Sequence, residues 1–144
     1  MPGAHRSRSE SDTRALGERL GEKLQGGEIV LLCGDLGAGK TQFAKGVARG
    51  LGVRDEVVSP TFIMAARYAG RVPLVHYDLY RVRGDRELQE LGWLELEDPR
   101  EVTLVEWGDR APAPAGCIEV RIRIDSDATR TIEIHGLDVE TDRC

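Results

Sequence analysis

Gly34-Asp35-Leu36-Gly37-Ala38-Gly39-Lys40-Thr41 matches G-x-x-x-x-G-K-[ST], the spacing of a phosphate-binding loop. Its glycines let the backbone wrap closely around phosphate oxygens, with main-chain N–H groups turned inward as a nest for negative charge. Asp35, Leu36, Gly37, Ala38 and Gly39 are the candidate backbone contacts. Lys40 would bridge terminal phosphates, and Thr41 would offer its hydroxyl to Mg²⁺. The flanks make the match credible. Residues 28–33 are an apolar, β-branched run that reads as a buried strand. Residues 42–51 place Phe43, Ala44, Val47, Ala48 and Leu51 at helical spacing. Strand, glycine loop and helix in that order set the loop at a helix N-terminus, where the dipole favours anions.

A chain of 144 residues is one domain with room for a real core. Its net charge of −5 argues against a nucleic-acid grip spread over the surface, which needs a basic face. No apolar run approaches the roughly 20 residues that span a bilayer. Residues 1–9 are polar and basic, without the apolar centre of a secretory signal. They read as frayed. The expected division is therefore a flexible tail over 1–10, one domain over 11–140 and a second tail over 141–144. Cys33, Cys117 and Cys144 are odd in number and lack C-x-x-C spacing. Neither a disulfide framework nor a zinc site is expected, which fits a reducing cytoplasm.

Along the chain, Ser11 or Asp12 caps a first helix that runs to about Gln25 and buries Leu16, Leu20 and Leu24. Ser59-Pro60-Thr61 is extended or turned, because Pro60 rules out helix. Residues 62–68 and 72–77 flank Ala69-Gly70-Arg71 as a hairpin that ends at Asp78. A short helix starts near Asp85. Residues 102–107 form another strand. Ile118, Val120, Ile122 and Ile124 alternate with Glu119, Arg121 and Arg123, and a second alternating run follows to His135. The sum is an α/β, three-layer, P-loop NTPase-like fold. Its central mixed sheet is parallel near the loop and extended by hairpins, with helices on both faces.

Nucleotide hydrolysis requires a carboxylate at the end of a buried strand to hold the cation, and both Asp78 and Glu106 qualify. A hydroxyl on a proline-stiffened loop suits a γ-phosphate sensor, which makes Thr61 a candidate. An ordinary Ser-Pro turn is the simpler reading of those residues alone.

Taken together, these blocks resemble the bacterial TsaE (earlier YjeE) family. The resemblance rests on the glycine loop, Ser59-Pro60-Thr61-Phe62, His76-Tyr77-Asp78-Leu79-Tyr80-Arg81 and Leu104-Val105-Glu106-Trp107, in that order over nearly the whole chain. It implies an ATPase that binds ATP·Mg²⁺ and hydrolyses it slowly alone. It further implies work with a TsaB–TsaD pair that transfers a threonylcarbamoyl group to a tRNA adenosine, hydrolysis resetting that complex. Contact with tRNA is then only indirect. Thr41 and Glu106 fall where the family ligates Mg²⁺, Asp78 at its second essential acid and Thr61 in its switch region. Trp107 falls beside the nucleotide, and Arg130 at a basic position near it. Gln42 replaces a common Thr, Ile63-Met64-Ala65-Ala66 the usual Thr-Leu-Val-Glu, and Gly108-Asp109 the common Pro-Glu.

The mechanism expected is positioning plus electrostatics. The loop amides and Lys40 neutralise phosphate charge, Thr41 and Glu106 fix Mg²⁺, Asp78 orients a water and Thr61 senses the γ-phosphate. Arg67, Arg81 and Arg110 are candidate arginine fingers, unless a partner supplies one. Two alternatives use the same loop. One is a nucleotide-gated binding protein whose bound state regulates a partner complex. The other is a small-molecule kinase, for which no lid-like arginine cluster is found.

Overall fold

The computed structural model describes residues 3–35, 37–57, 65–79, 99–107 and 116–136. In chain order its elements are β1 (Gly3–Ser7), α1 (Glu10–Lys23), β2 (Ile29–Gly34), α2 (Lys40–Gly50), β3 (Ala65–Tyr68), β4 (Leu74–Asp78), β5 (Val102–Glu106), β6 (Ile118–Ile124) and β7 (Arg130–His135). The near-continuous apolar runs of β2, β4 and β5 are buried on both faces, as parallel strands require. They lie together at the centre of one sheet, ordered β1-β7-β6-β2-β5-β4-β3. β2 pairs in parallel with β5 and β6, and β4 with β5. Both hairpins form as expected, β3 with β4 and β6 with β7. The alternation in β6 buries Ile118, Val120 and Ile122, while Ile124 at its end is exposed.

The N-terminal segment departs from expectation. Instead of fraying, residues of the anticipated tail pair antiparallel with β7, Ala4 opposite Glu133 and Arg6 opposite Thr131. The buried Ser7 hydroxyl bonds the Thr13 hydroxyl at 2.7 Å and so ties this strand to α1. The cap of α1 moves accordingly. Ser9, not Ser11 or Asp12, receives the Asp12 N–H on its hydroxyl at 3.0 Å, and the Asp12 carboxylate accepts from the Arg8 N–H. α1 ends at Lys23, slightly earlier than Gln25.

Both helices among the described residues serve one face of the sheet. Leu16, Leu20, Leu24, Phe43 and Val47 share a core with Val30, Leu32, Leu104 and Val120. Ile29, Leu31, Val75, Tyr77 and Val105 form a second buried cluster on the opposite face. The short helix expected near Asp85, residues 58–64 with Thr61, and Arg81 and Arg110 lie outside the described residues, as does Leu36. Among the described residues no helix is long and apolar enough to cross a membrane.

One arginine closes the far end of the helix pair. Arg71 Nη1 donates to the Leu24 carbonyl, and Nη2 donates to the carbonyls of Gly21 and Gly50. A cation there satisfies terminal carbonyls and complements both dipoles. Arg71→Met should cost about 1–2 kcal/mol, fewer than the full set of charged hydrogen bonds because the side chain is exposed. Thermal denaturation at constant pH checks this, and an unchanged midpoint would show the contact to be ornamental.

Candidate functional site

The site is built where β2 gives way to α2. Gly37 and Gly39 have φ of 82° and 108°, left-handed values that side chains with a Cβ rarely adopt. Neither is crowded, so backbone curvature alone demands glycine there. Gly39 also caps α2, whose first turn carries neither a side-chain cap nor an acidic residue. With no side-chain cap and no acid in that first turn, the positive end of the α2 dipole is turned to the loop, the arrangement that suits an anion.

Lys40 is buried yet sits at the mouth of this turn. Its Nζ donates to the Gly34 carbonyl at 2.5 Å and the Asp35 carbonyl at 2.9 Å. The ammonium also lies 3.9 Å from the ring centroid of Trp107, a cation–π contact. Trp107 reaches this place with φ of 60°, the only non-glycine residue at positive φ among those described. Left-handed backbone on a bulky residue carries strain, so the chain leaving β5 is bent to bring the indole over Lys40.

Thr41, one residue on, points to β5. Its hydroxyl lies 3.5 Å from Glu106 Oε1, while Glu106 Oε2 is 2.7 Å from His76 Nε2. Asp78 is the register partner of Glu106 across the β4–β5 ladder. His76, Asp78 and Glu106 are all buried. The strand period sets them on the face shared with α2, since Leu74 and Leu104 in the same alternation belong to its core. The hard oxygens of Thr41 and Glu106 are the donor type a small divalent cation prefers, and Mg²⁺ takes few protein ligands when phosphates supply the rest.

Arg130 braces the loop from the other side. Its Nε donates to the Ala38 carbonyl at 3.1 Å and its Nη2 to the Gly37 carbonyl at 3.2 Å. Nη1 holds the β6–β7 turn through Ser126 and Thr129. A cleft of about 210 Å³ opens beside the loop, lined by Arg8, Ser9, Thr13, Gly39, Asp127 and Arg130 among others.

The structure thus gathers Lys40, Thr41, Asp78, Glu106, Trp107 and Arg130 around the described loop residues Asp35, Gly37, Ala38 and Gly39. Arg67 is not among them. It pairs with Glu101, before the start of β5 and so at the opposite end of the ladder from the acids. Two features escaped the sequence reading. The sequence pattern alone assigns His76 no task, although its place two residues before Asp78 sets both on one strand face. Arg8, Ser9 and Thr13 were hidden because the segment before them looked unstructured.

The sheet order and the strand–loop–helix unit define a P-loop NTPase-like α/β protein. A family model described as threonylcarbamoyl adenosine biosynthesis protein TsaE matches residues 7–132. The tRNA threonylcarbamoyladenosine biosynthesis protein TsaE of Treponema pallidum is 38% identical over 130 residues, covering 89% of this chain and 96% of that one. The protein of the same description from Nostoc is 39% identical over 127 residues, 85% of this chain and 78% of its own. The crystal structure of Bacillus subtilis YdiB aligns with a TM-score of 0.77 at 30% identity, covering 98% of this chain and 90% of that chain. The chain belongs to the TsaE family, a family of tRNA threonylcarbamoyladenosine biosynthesis.

Proposed function

We propose that this chain is a Mg²⁺-dependent ATPase that supports tRNA threonylcarbamoyladenosine formation by a TsaB–TsaD complex. The observation that carries the reading is the convergence of a helix N-terminus that no side chain caps, a buried Lys40 and the Thr41–Glu106 oxygen pair on one loop. The amides at the start of α2 and Lys40 grip the β and γ phosphates. Lys40 exchanges the Gly34 and Asp35 carbonyls for phosphate oxygens, acceptors of greater charge. Thr41 and Glu106 hold the cation, which when bound neutralises phosphate charge. Asp78 orients the attacking water, and Trp107 shields Lys40 from solvent. The cleft beside Arg130 receives the nucleoside. Thr61 reports the γ-phosphate to the partner-facing surface. The setting is cytoplasmic, and tRNA is met only through the complex.

Calorimetry with ADP and ATP in the presence of Mg²⁺ tests this. Wild-type chain should take up nucleotide, and Lys40→Ala should weaken uptake roughly 10- to 100-fold, the worth of its charged hydrogen bonds. No uptake by the folded wild-type chain would overturn the reading. For the partners, a pull-down should retain TsaB and TsaD more strongly with ATP·Mg²⁺ than without nucleotide. Equal retention would separate assembly from the nucleotide.

A further inference from the structure

A buried carboxylate beside a cation site is useful only if its oxygens point the right way. Glu106 is buried, and the terminal torsion of a glutamate is soft, so nothing in its own stereochemistry fixes that direction. The contact that does is His76. Its side chain is 0% exposed, and its Nε2 donates to Glu106 Oε2 at 2.7 Å. The other oxygen, Oε1, is the one 3.5 Å from the Thr41 hydroxyl. One carboxylate therefore has two distinct faces, one held by imidazole and one presented to the loop.

The register makes this a deliberate reach rather than a side effect of pairing. His76 lies opposite Leu104 in the β4–β5 ladder, and Glu106 lies opposite Asp78. The imidazole crosses diagonally to the residue two positions on, within range for a long side chain. It also leaves His76 Nδ1 buried with no hydrogen-bond partner among the described residues. An apolar residue would fill the same core without that cost, so packing alone does not account for a histidine here.

We propose that His76 is a positioning residue, which locks the Glu106 carboxylate so that Oε1 faces Thr41 and the cation. The proposal rests on the reading of the loop as a Mg²⁺–nucleotide site. Partners that orient a ligating group commonly govern 10- to 100-fold in metal affinity, because the orientation is settled before the metal arrives.

The test compares ADP affinity in Mg²⁺ with ADP affinity in EDTA, the ratio being the magnesium enhancement. His76→Leu should reduce that enhancement roughly 10- to 100-fold while leaving affinity in EDTA unchanged. His76→Gln, whose amide nitrogen reaches about where Nε2 stands, should restore most of it. His76→Asn, too short to reach Glu106, should not. Thermal midpoints of the three identify any variant that is simply unfolded, and the Gln–Asn contrast keeps the test sharp if Leu proves unstable. Full enhancement in folded His76→Leu, or equal loss in Gln and Asn, would overturn the role of His76 alone. Absence of enhancement in the wild-type chain would overturn the cation site and this inference with it.

Discussion

Glu106→Ala is expected to retain most of the nucleotide affinity measured in EDTA and to lose hydrolysis by roughly 10²–10³-fold, the scale of losing one preorganised electrostatic element, here the cation that Glu106 would hold against the phosphate charge. The asymmetry follows from where the side chain sits. The loop amides and Lys40 are untouched by the change, so the phosphate grip survives. Oε1 at 3.5 Å from the Thr41 hydroxyl disappears, and with it half of the oxygen pair proposed for the cation. His76 Nε2 also loses its acceptor inside the core. The alanine variant should therefore be somewhat less stable as well, and Glu106→Gln separates the two effects by keeping an acceptor with less charge. Phosphate release at saturating ATP and Mg²⁺ is the measurement. If Glu106→Ala hydrolyses at the wild-type rate while Asp78→Ala loses its magnesium enhancement, the two acids have exchanged tasks.

Those acids show how far the primary structure could be read. Asp78 and Glu106 both ended buried apolar runs, and nothing in the runs told which faced the loop. The ladder makes them neighbours on one face, and it is the start of α2 that sets Thr41 against Glu106. The glycine loop was legible because its spacing is local. The central strands were legible because burial on both faces leaves an unbroken apolar run. β1 was not, for the opposite reason. It is an edge strand of the described sheet, Gly3–Ser7, mostly exposed, whose stabilising partners are the main-chain groups of β7 and the Ser7–Thr13 contact. Backbone pairing leaves no hydrophobic signature. With β1 unread, the cap at Ser9 and the cleft residues Arg8 and Thr13 went unread too. Arg67 reads as a candidate finger in the sequence but pairs with Glu101 in the structure, because a hairpin pattern gives order along the chain and not which end of the sheet a residue reaches.

Gly46→Ala is expected to destabilise the protein by roughly 3 kcal/mol or more, against a propensity argument of opposite sign. In a helix interior, alanine is favoured over glycine by about 1 kcal/mol, so an uncrowded Gly46 would make the variant more stable. Space decides otherwise. A Cβ on Gly46 would stand 2.0 Å from the Arg14 carbonyl oxygen and 2.9 Å from the Glu18 nitrogen, both rigid helix backbone. The contact is reciprocal, since a Cβ on Gly17 would meet the Phe43 carbonyl at 2.3 Å, and one on Gly50 the Glu18 carbonyl at 2.3 Å. Glycines four apart on both helices thus let α1 and α2 touch backbone to backbone. Relief requires the pair to separate, which would open the layer holding Leu20, Phe43 and Val47. For a chain of this size such a loss lowers the thermal midpoint by about 6–12 °C. Because α2 begins at Lys40 and Thr41, any Gly46→Ala protein that still folds should also bind nucleotide less tightly, the loop being carried by the displaced helix. A raised midpoint would show that the helices are not in contact along this line, and the route by which α1 steadies the loop would have to be sought elsewhere.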